Sequence, residues 1–117
     1  MNIEEFRDFC LSMKGVTEEL PFGPDTLVYK VMGKMFALTG LDTEIFTVNL
    51  KCDPDRAIQL REEFYYITPG YHMNKKHWNT VNGDSASTAQ LKELTEHSYQ
   101  LVVASLPKKV QVEFQNL

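Results

Sequence analysis

Two apolar runs, Leu27–Met32 and Met35–Gly40, are separated only by Gly33-Lys34. A parallel pair needs a crossover of a dozen or more residues, so these runs can pair only as an antiparallel hairpin. Gly33-Lys34 suits a two-residue turn with glycine at the first central position. A third run, Ile45–Lys51, follows a short turn around Leu41–Glu44. In it Phe46, Val48 and Leu50 alternate with Thr47, Asn49 and Lys51, the pattern of a strand with one covered face. Whatever else the chain does, it must build around this three-stranded antiparallel unit.

The flanking segments supply helices to cover it. Asn2 with Glu5 makes a capping box, and Ile3, Phe6, Phe9 or Cys10, and Met13 recur at helical spacing until Gly15 ends a helix over Ile3–Lys14. Glu4, Glu5 and Asp8 then face outward, where acids near a helix start complement its dipole. Val16–Asp25 reads as a loop whose Phe22 plugs the end of the core. Asp53-Pro54 starts a second helix, which buries Ala57, Leu60 and Phe64 and stops near Glu63. Tyr65–Thr68 and Trp78–Asn82 read as short strands beside the turns Pro69-Gly70 and Asn82-Gly83. Ser87, with Gln90 three residues on, caps a long helix over Thr88–Leu106, with Leu91, Leu94, Ser98, Leu101 or Val102, and Ser105 on one side. In the tail Val110, Val112 and Phe114 alternate like a strand while Val110, Phe114 and Leu117 fit a short helix, and Pro107 at its start favours the helix. The order predicts a single α+β domain spanning residues 1–117, an antiparallel sheet with the N-terminal and C-terminal helices on its apolar face. Trp78, near Val81, is expected to be buried against the long helix.

The net charge of −4 is concentrated at the start, where residues 1–25 carry six acids against Arg7 and Lys14. Two windows contain no acid, Thr26–Leu41 with Lys30 and Lys34, and Phe64–Gly83 with Lys75 and Lys76. A net acidic chain is a poor non-specific polyanion binder, so phosphate recognition requires these cations to share a face. No apolar stretch reaches membrane-spanning length and no leader pattern opens the chain, so a cytoplasmic location without a membrane partner is expected. Cys10 and Cys52 have no metal or redox spacing and suit a reducing compartment.

Pro69–Gly83, PGYHMNKKHWNTVNG, concentrates the unusual chemistry. Lys30, Lys34, Lys75 and Lys76 are candidate phosphate contacts, and Asn74 and Asn79 candidate amide donors to phosphate or base edges. Tyr71 and Trp78 have the planar faces that stack on bases; His72 and His77 add charge only when protonated. The plainer reading of the same residues is a solvated turn. His72 and His77 are five apart, matching neither one strand face nor the helical zinc spacing, so no metal or other cofactor is expected. Cys10 falls in an apolar stripe and Cys52 has no evident base. No nucleophile elbow, phosphate loop or dinucleotide fingerprint is present, and no enzymatic activity is expected.

The segment PGYHMNKKHWNTV, with Pro21-Phe22-Gly23, Lys30–Ala37 (KVMGKMFA) and Leu50–Asp55 (LKCDPD), resembles the MmcQ/YjbR family of small bacterial proteins. The resemblance implies a fold like that of the bacterial frataxin homologue, and DNA binding through a double wing. The wings here would be the hairpin around Gly33-Lys34 and the one including Tyr71–Trp78. Four cations neutralise few phosphates, so binding should be micromolar or weaker and salt-sensitive. The alternative is a protein- or small-molecule-binding module, using a groove between the Pro21–Gly23 loop and the Tyr71–Trp78 segment.

Overall fold

The structure, a computed structural model, describes residues 1–70 and 73–117. Its strands are β1 (Val16–Glu19), β2 (Thr26–Val31), β3 (Lys34–Gly40), β4 (Thr47–Lys51), β5 (Ile67–Pro69) and β6 (Trp78–Asn82). They form one antiparallel sheet in the order β1-β2-β3-β4-β6-β5. The helices are α1 (Ile3–Ser12), α2 (Pro54–Glu63), α3 (Thr88–Ser105) and α4 (Lys108–Gln115). The expected α+β arrangement, N- and C-terminal helices on an antiparallel sheet, is the one observed.

Local chemistry sets the helix boundaries. Asn2 accepts from the Glu5 N–H at 2.8 Å while the Glu5 carboxylate accepts from the Asn2 N–H at 3.1 Å, closing the capping box. Asp53 caps α2 by accepting from the Arg56 N–H, and Ser87 caps α3 by accepting from the Gln90 N–H. The Gln90 side chain does not complete a box; its carbonyl oxygen accepts from the Tyr66 hydroxyl at 2.5 Å instead.

One main core fills the space between the helices and the sheet. Phe6 and Cys10 of α1, Ala57 and Leu60 of α2, and Leu91, Leu94 and Val102 of α3 pack on Tyr29, Phe36, Ala37, Val48, Leu50 and Val81. Phe6 meets Tyr29 and Phe46 edge-on, with ring centroids 5.7 Å apart in both pairs. Ser105, expected on the buried side of α3, is exposed.

Four local expectations are corrected. Val16–Glu19 is not loop but an edge strand paired with Val28–Val31; a short strand rich in acids has little periodic signal, and its pairing is tertiary. Phe22 does not plug the core but stands 64 % exposed. The β2–β3 turn is Met32-Gly33, since Val31 pairs with Lys34; both residues have positive φ (50° and 86°) and glycine is at the second central position. Such a turn matches strand twist, which is why the hairpin takes it. Trp78 is buried, at 8 % exposure, but on the sheet face away from α3. Asn79 and Val81 face the helices, so the alternation of β6 turns Trp78 and Thr80 the other way. On that open face Trp78, Val28 and Leu38 form a second small cluster with Met35 and Met73.

Candidate functional site

Strand register decides where the hairpin tips lie. Leu50 pairs with both Ala37 and Asn79, and Lys51 with Trp78. Lys51 is therefore level with Phe36, two residues short of Lys34, and the β2–β3 turn and the β5–β6 connection leave the sheet at the same end. Only β4 separates the two hairpins, so β3 and β6 are about 10 Å apart at ordinary strand spacing. Lys34, Lys75 and Lys76 are exposed at this end and Lys51 is half-buried. The Lys34 ammonium donates to the Ser105 carbonyl at 3.4 Å, which brings the α4 start, with exposed Lys108 and Lys109, alongside.

The opposite end is acidic. Asp25 adjoins the start of β2, with its carbonyl accepting from the Leu41 N–H at 2.8 Å. Asp42 and Glu44 lie in the β3–β4 loop, and the Asp84 carboxylate accepts from the Phe46 N–H at 3.4 Å. Asn2 and Ile3 line one pocket with Glu44 and Asp84, so the first turn of α1, which carries Glu4 and Glu5, starts at this end. Residues 35–50 and 79–91 contain no lysine or arginine. The basic end is not free of acids, since Asp53 and Asp55 open α2 there. Glu18 and Glu19 are on β1, at the opposite edge of the sheet from β5, and both are engaged. Glu18 accepts from the Arg7 guanidinium at 2.6 and 2.8 Å, and that pairing holds its carboxyl below the usual carboxylate range. A chain of net charge −4 is thus electrically two-ended.

The residues singled out in the sequence divide accordingly. Lys34, Asn74, Lys75, Lys76 and His77 belong to the basic end. Asn74 organises its turn: its side chain accepts from the Lys76 N–H at 2.9 Å, and its carbonyl from the N–H groups of His77 and Trp78. The Lys75 carbonyl accepts from Arg61 at 3.2 Å, and the His77 carbonyl from the Cys52 N–H at 2.7 Å, which tie this connection to both ends of α2. Lys30 is not an open cation, because it pairs with Glu19 at 3.3 Å. Asn79 is withdrawn as a donor to a ligand: it is 2 % exposed and its amide donates to the Ala57 carbonyl at 3.2 Å. Trp78 is covered and offers no stacking platform. Tyr71 and His72 lie outside the described residues. Lys51, Lys108 and Lys109 were not singled out; only the sheet register and the Lys34–Ser105 contact bring them in.

Cys10 and Cys52 are free thiols, both buried, and burial pushes both up and away from the reactive thiolate. His97 accepts from the Asp53 N–H through Nε2 at 3.2 Å, a bond only neutral imidazole can make, and burial lowers its pKa. Among the described residues no group of three or more His, Cys, Asp or Glu is placed to hold a metal ion, and no helix is long and apolar enough to cross a membrane.

A second feature lies on the open face. The turn carrying Phe22 and the segment carrying Met73 bound a groove of about 420 Å³, with Leu38, Thr47 and Asn49 among its lining.

A model of the YjbR family matches residues 11–101. The chain is 42 % identical to YbdF of Escherichia coli O157:H7 over 92 residues, which are 78 % of this chain and 75 % of that protein. It is 31 % identical to YjbR of Escherichia coli K12 over 110 residues, 93 % of each chain. Its structure is similar to the crystal structure of Deinococcus radiodurans protein DR2400, with a TM-score of 0.91, 35 % identity, and coverage of 97 % of this chain and 88 % of that one. A crystal structure of a Pseudomonas syringae protein matches with a TM-score of 0.75, 28 % identity, and coverage of 86 % of this chain and 98 % of that one.

Proposed function

The chain belongs to the YjbR family, and from that premise we propose that it binds DNA weakly, through phosphate contacts made by the two hairpin tips. The observation that carries this reading is the segregation of charge. Lys34, Lys75 and Lys76 occupy one end of the sheet, with Lys51, Lys108 and Lys109 beside them, while Glu4, Glu5, Asp25, Asp42, Glu44 and Asp84 occupy the other. A duplex approaching the basic end meets cations from two protruding hairpins and keeps the acidic pole at the far side of the domain. Asn74 and His77 flank the contact, and with Asn79 buried little sequence preference is expected.

The frataxin-like comparison belongs to the same reading, supported by the packing of both terminal helices on one sheet face. So does a cytoplasmic site of action, where two buried free thiols are at home.

Magnitude follows from counterion release. About four phosphate contacts give a slope near −3.6 in log K against log salt, so raising salt from about 50 to 200 mM weakens binding roughly 10²-fold. Micromolar affinity at the lower salt is expected. Fluorescence anisotropy with a labelled duplex, comparing the wild type with a Lys75→Glu/Lys76→Glu variant, tests the proposal. Loss of binding in the folded variant supports it. Equal affinity in that variant, or no binding by the wild type at the lower salt, refutes it.

A further inference from the structure

We propose that the groove on the open face of the sheet is a second binding site, for an uncharged planar ring compound bearing hydrogen-bond acceptors, such as a nucleobase or a comparable heteroaromatic metabolite. Its volume of about 420 Å³ is within the usual range for small-molecule sites, about 300–1,000 Å³.

The lining selects the ligand. Phe22 is held 64 % exposed on its turn, and with Leu38 and Met73 it gives the groove an aromatic, an aliphatic and a thioether contact. Aromatic rings and methionine sulfur both favour contact with a flat ring. Among the described residues no lysine, arginine or acid lines the groove, so an ionised ligand group would lose its hydration with no opposite charge from them to meet it. Thr26 and Gly40, at the rim, adjoin Asp25 and the Asp42–Glu44 loop, which adds repulsion against phosphate or carboxylate.

The polar residues select acceptors. The Thr80 hydroxyl donates to the Asn49 side-chain oxygen at 2.5 Å. That bond orients the Asn49 amide and leaves its NH₂ without a partner among the described residues, ready to donate. The Thr26 and Thr47 hydroxyls are likewise without partners among the described residues, whereas Thr39 is engaged, donating to the Thr47 carbonyl at 2.8 Å. A ring over Leu38, flanked by Phe22 and Met73 and edged by Asn49 and Thr47, gives the Asn49 amide and the Thr47 hydroxyl an acceptor.

This site is independent of the lysines at the hairpin tips, and its test separates the two. The ¹⁵N-labelled full chain is titrated with adenosine, uridine and caffeine as uncharged ring probes bearing acceptors, and with adenosine monophosphate and decanoate as charged controls. Expected are saturating amide shifts at Leu38, Gly40, Thr47 and Asn49 with at least one ring probe, and weaker binding of the monophosphate than of adenosine. Phe22→Ala and Asn49→Leu should each weaken that probe by about fivefold, the scale of one ring contact or hydrogen bond, and leave DNA binding unchanged. Lys75→Glu/Lys76→Glu should leave probe binding unchanged. Failure of all three ring probes to saturate, shifts outside the groove, tighter binding of decanoate than of the rings, or wild-type affinity in both groove variants would overturn the proposal, whatever the DNA assay shows.

Discussion

Replacing Ser98 with alanine removes one oxygen that ties α3 to two strands at once. The β3–β4 ladder pairs Ala37 with Leu50 and goes no further toward the basic end. Beyond that pair, the Ser98 hydroxyl stands between the strands, donating to the Phe36 carbonyl at 2.5 Å and accepting from the Lys51 N–H at 2.9 Å. Ser98 is fully buried, so water does not replace it in the variant. Each orphaned buried backbone group costs about 1–2 kcal/mol, and two of them give about 2–4 kcal/mol. Urea unfolding followed by circular dichroism should show that loss with an unchanged m-value, and thermal melts a drop of roughly 8–16 °C at about 4 °C per kcal/mol for a domain of this size. The rival outcome is specific. If β3 and β4 close directly, Phe36 to Lys51, the cost falls below about 0.5 kcal/mol, a surface-like value, and Ser98 is not the clasp between helix and sheet.

Trp78→Ala should cost about 3–5 kcal/mol in a denaturant melt, the range for truncating a buried large aromatic, through loss of the open-face cluster with Val28, Leu38 and Met73. Gly83→Ala should cost about 1–3 kcal/mol by overpacking, because its Cβ would fall 2.3 Å from the Phe46 ring; adding Phe46→Leu should recover part of the loss in thermal melts. Burial lowers the His97 pKa in the folded state, with Arg56 lowering it further and Glu93 and Asp53 opposing. The unfolded chain therefore takes up a proton first, so stability falls as pH drops below about 6.5 and levels once the folded-state pKa is passed. A His97→Gln variant should flatten that limb of the stability profile.

The hairpins, the caps and the long helix were legible in the sequence because each rests on local chemistry. Asp53-Pro54 and Ser87 cap the helices that directly follow them, through bonds to the N–H three residues on, and the bounds of α2 and β6 agree with the expected Pro54–Glu63 and Trp78–Asn82. What was not legible depends on long-range pairing. The face of Trp78 follows from which neighbours of β6 meet α2, and the burial of Asn79 from the same alternation. The edge strand β1 has no periodicity of its own and exists because β2 offers it a partner. Likewise the basic end joins lysines from four separate segments, and a linear charge profile shows only two of them, the acid-free windows around Lys34 and Lys75. Lys30 looks like part of that set in sequence, yet Glu19 across the ladder neutralises it.

The most direct test of DNA recognition by the basic end is a map of where a duplex touches the folded chain. A ¹⁵N-labelled sample titrated with a short duplex at low salt should show amide shifts at residues 33–35, 51–53, 74–78 and 107–110, the segments the sheet register brings to one end. Those shifts should collapse when salt is raised, as counterion release requires. Shifts centred instead on residues 41–46 and 83–85 at the acidic end, or no shifts from a folded sample, would contradict it.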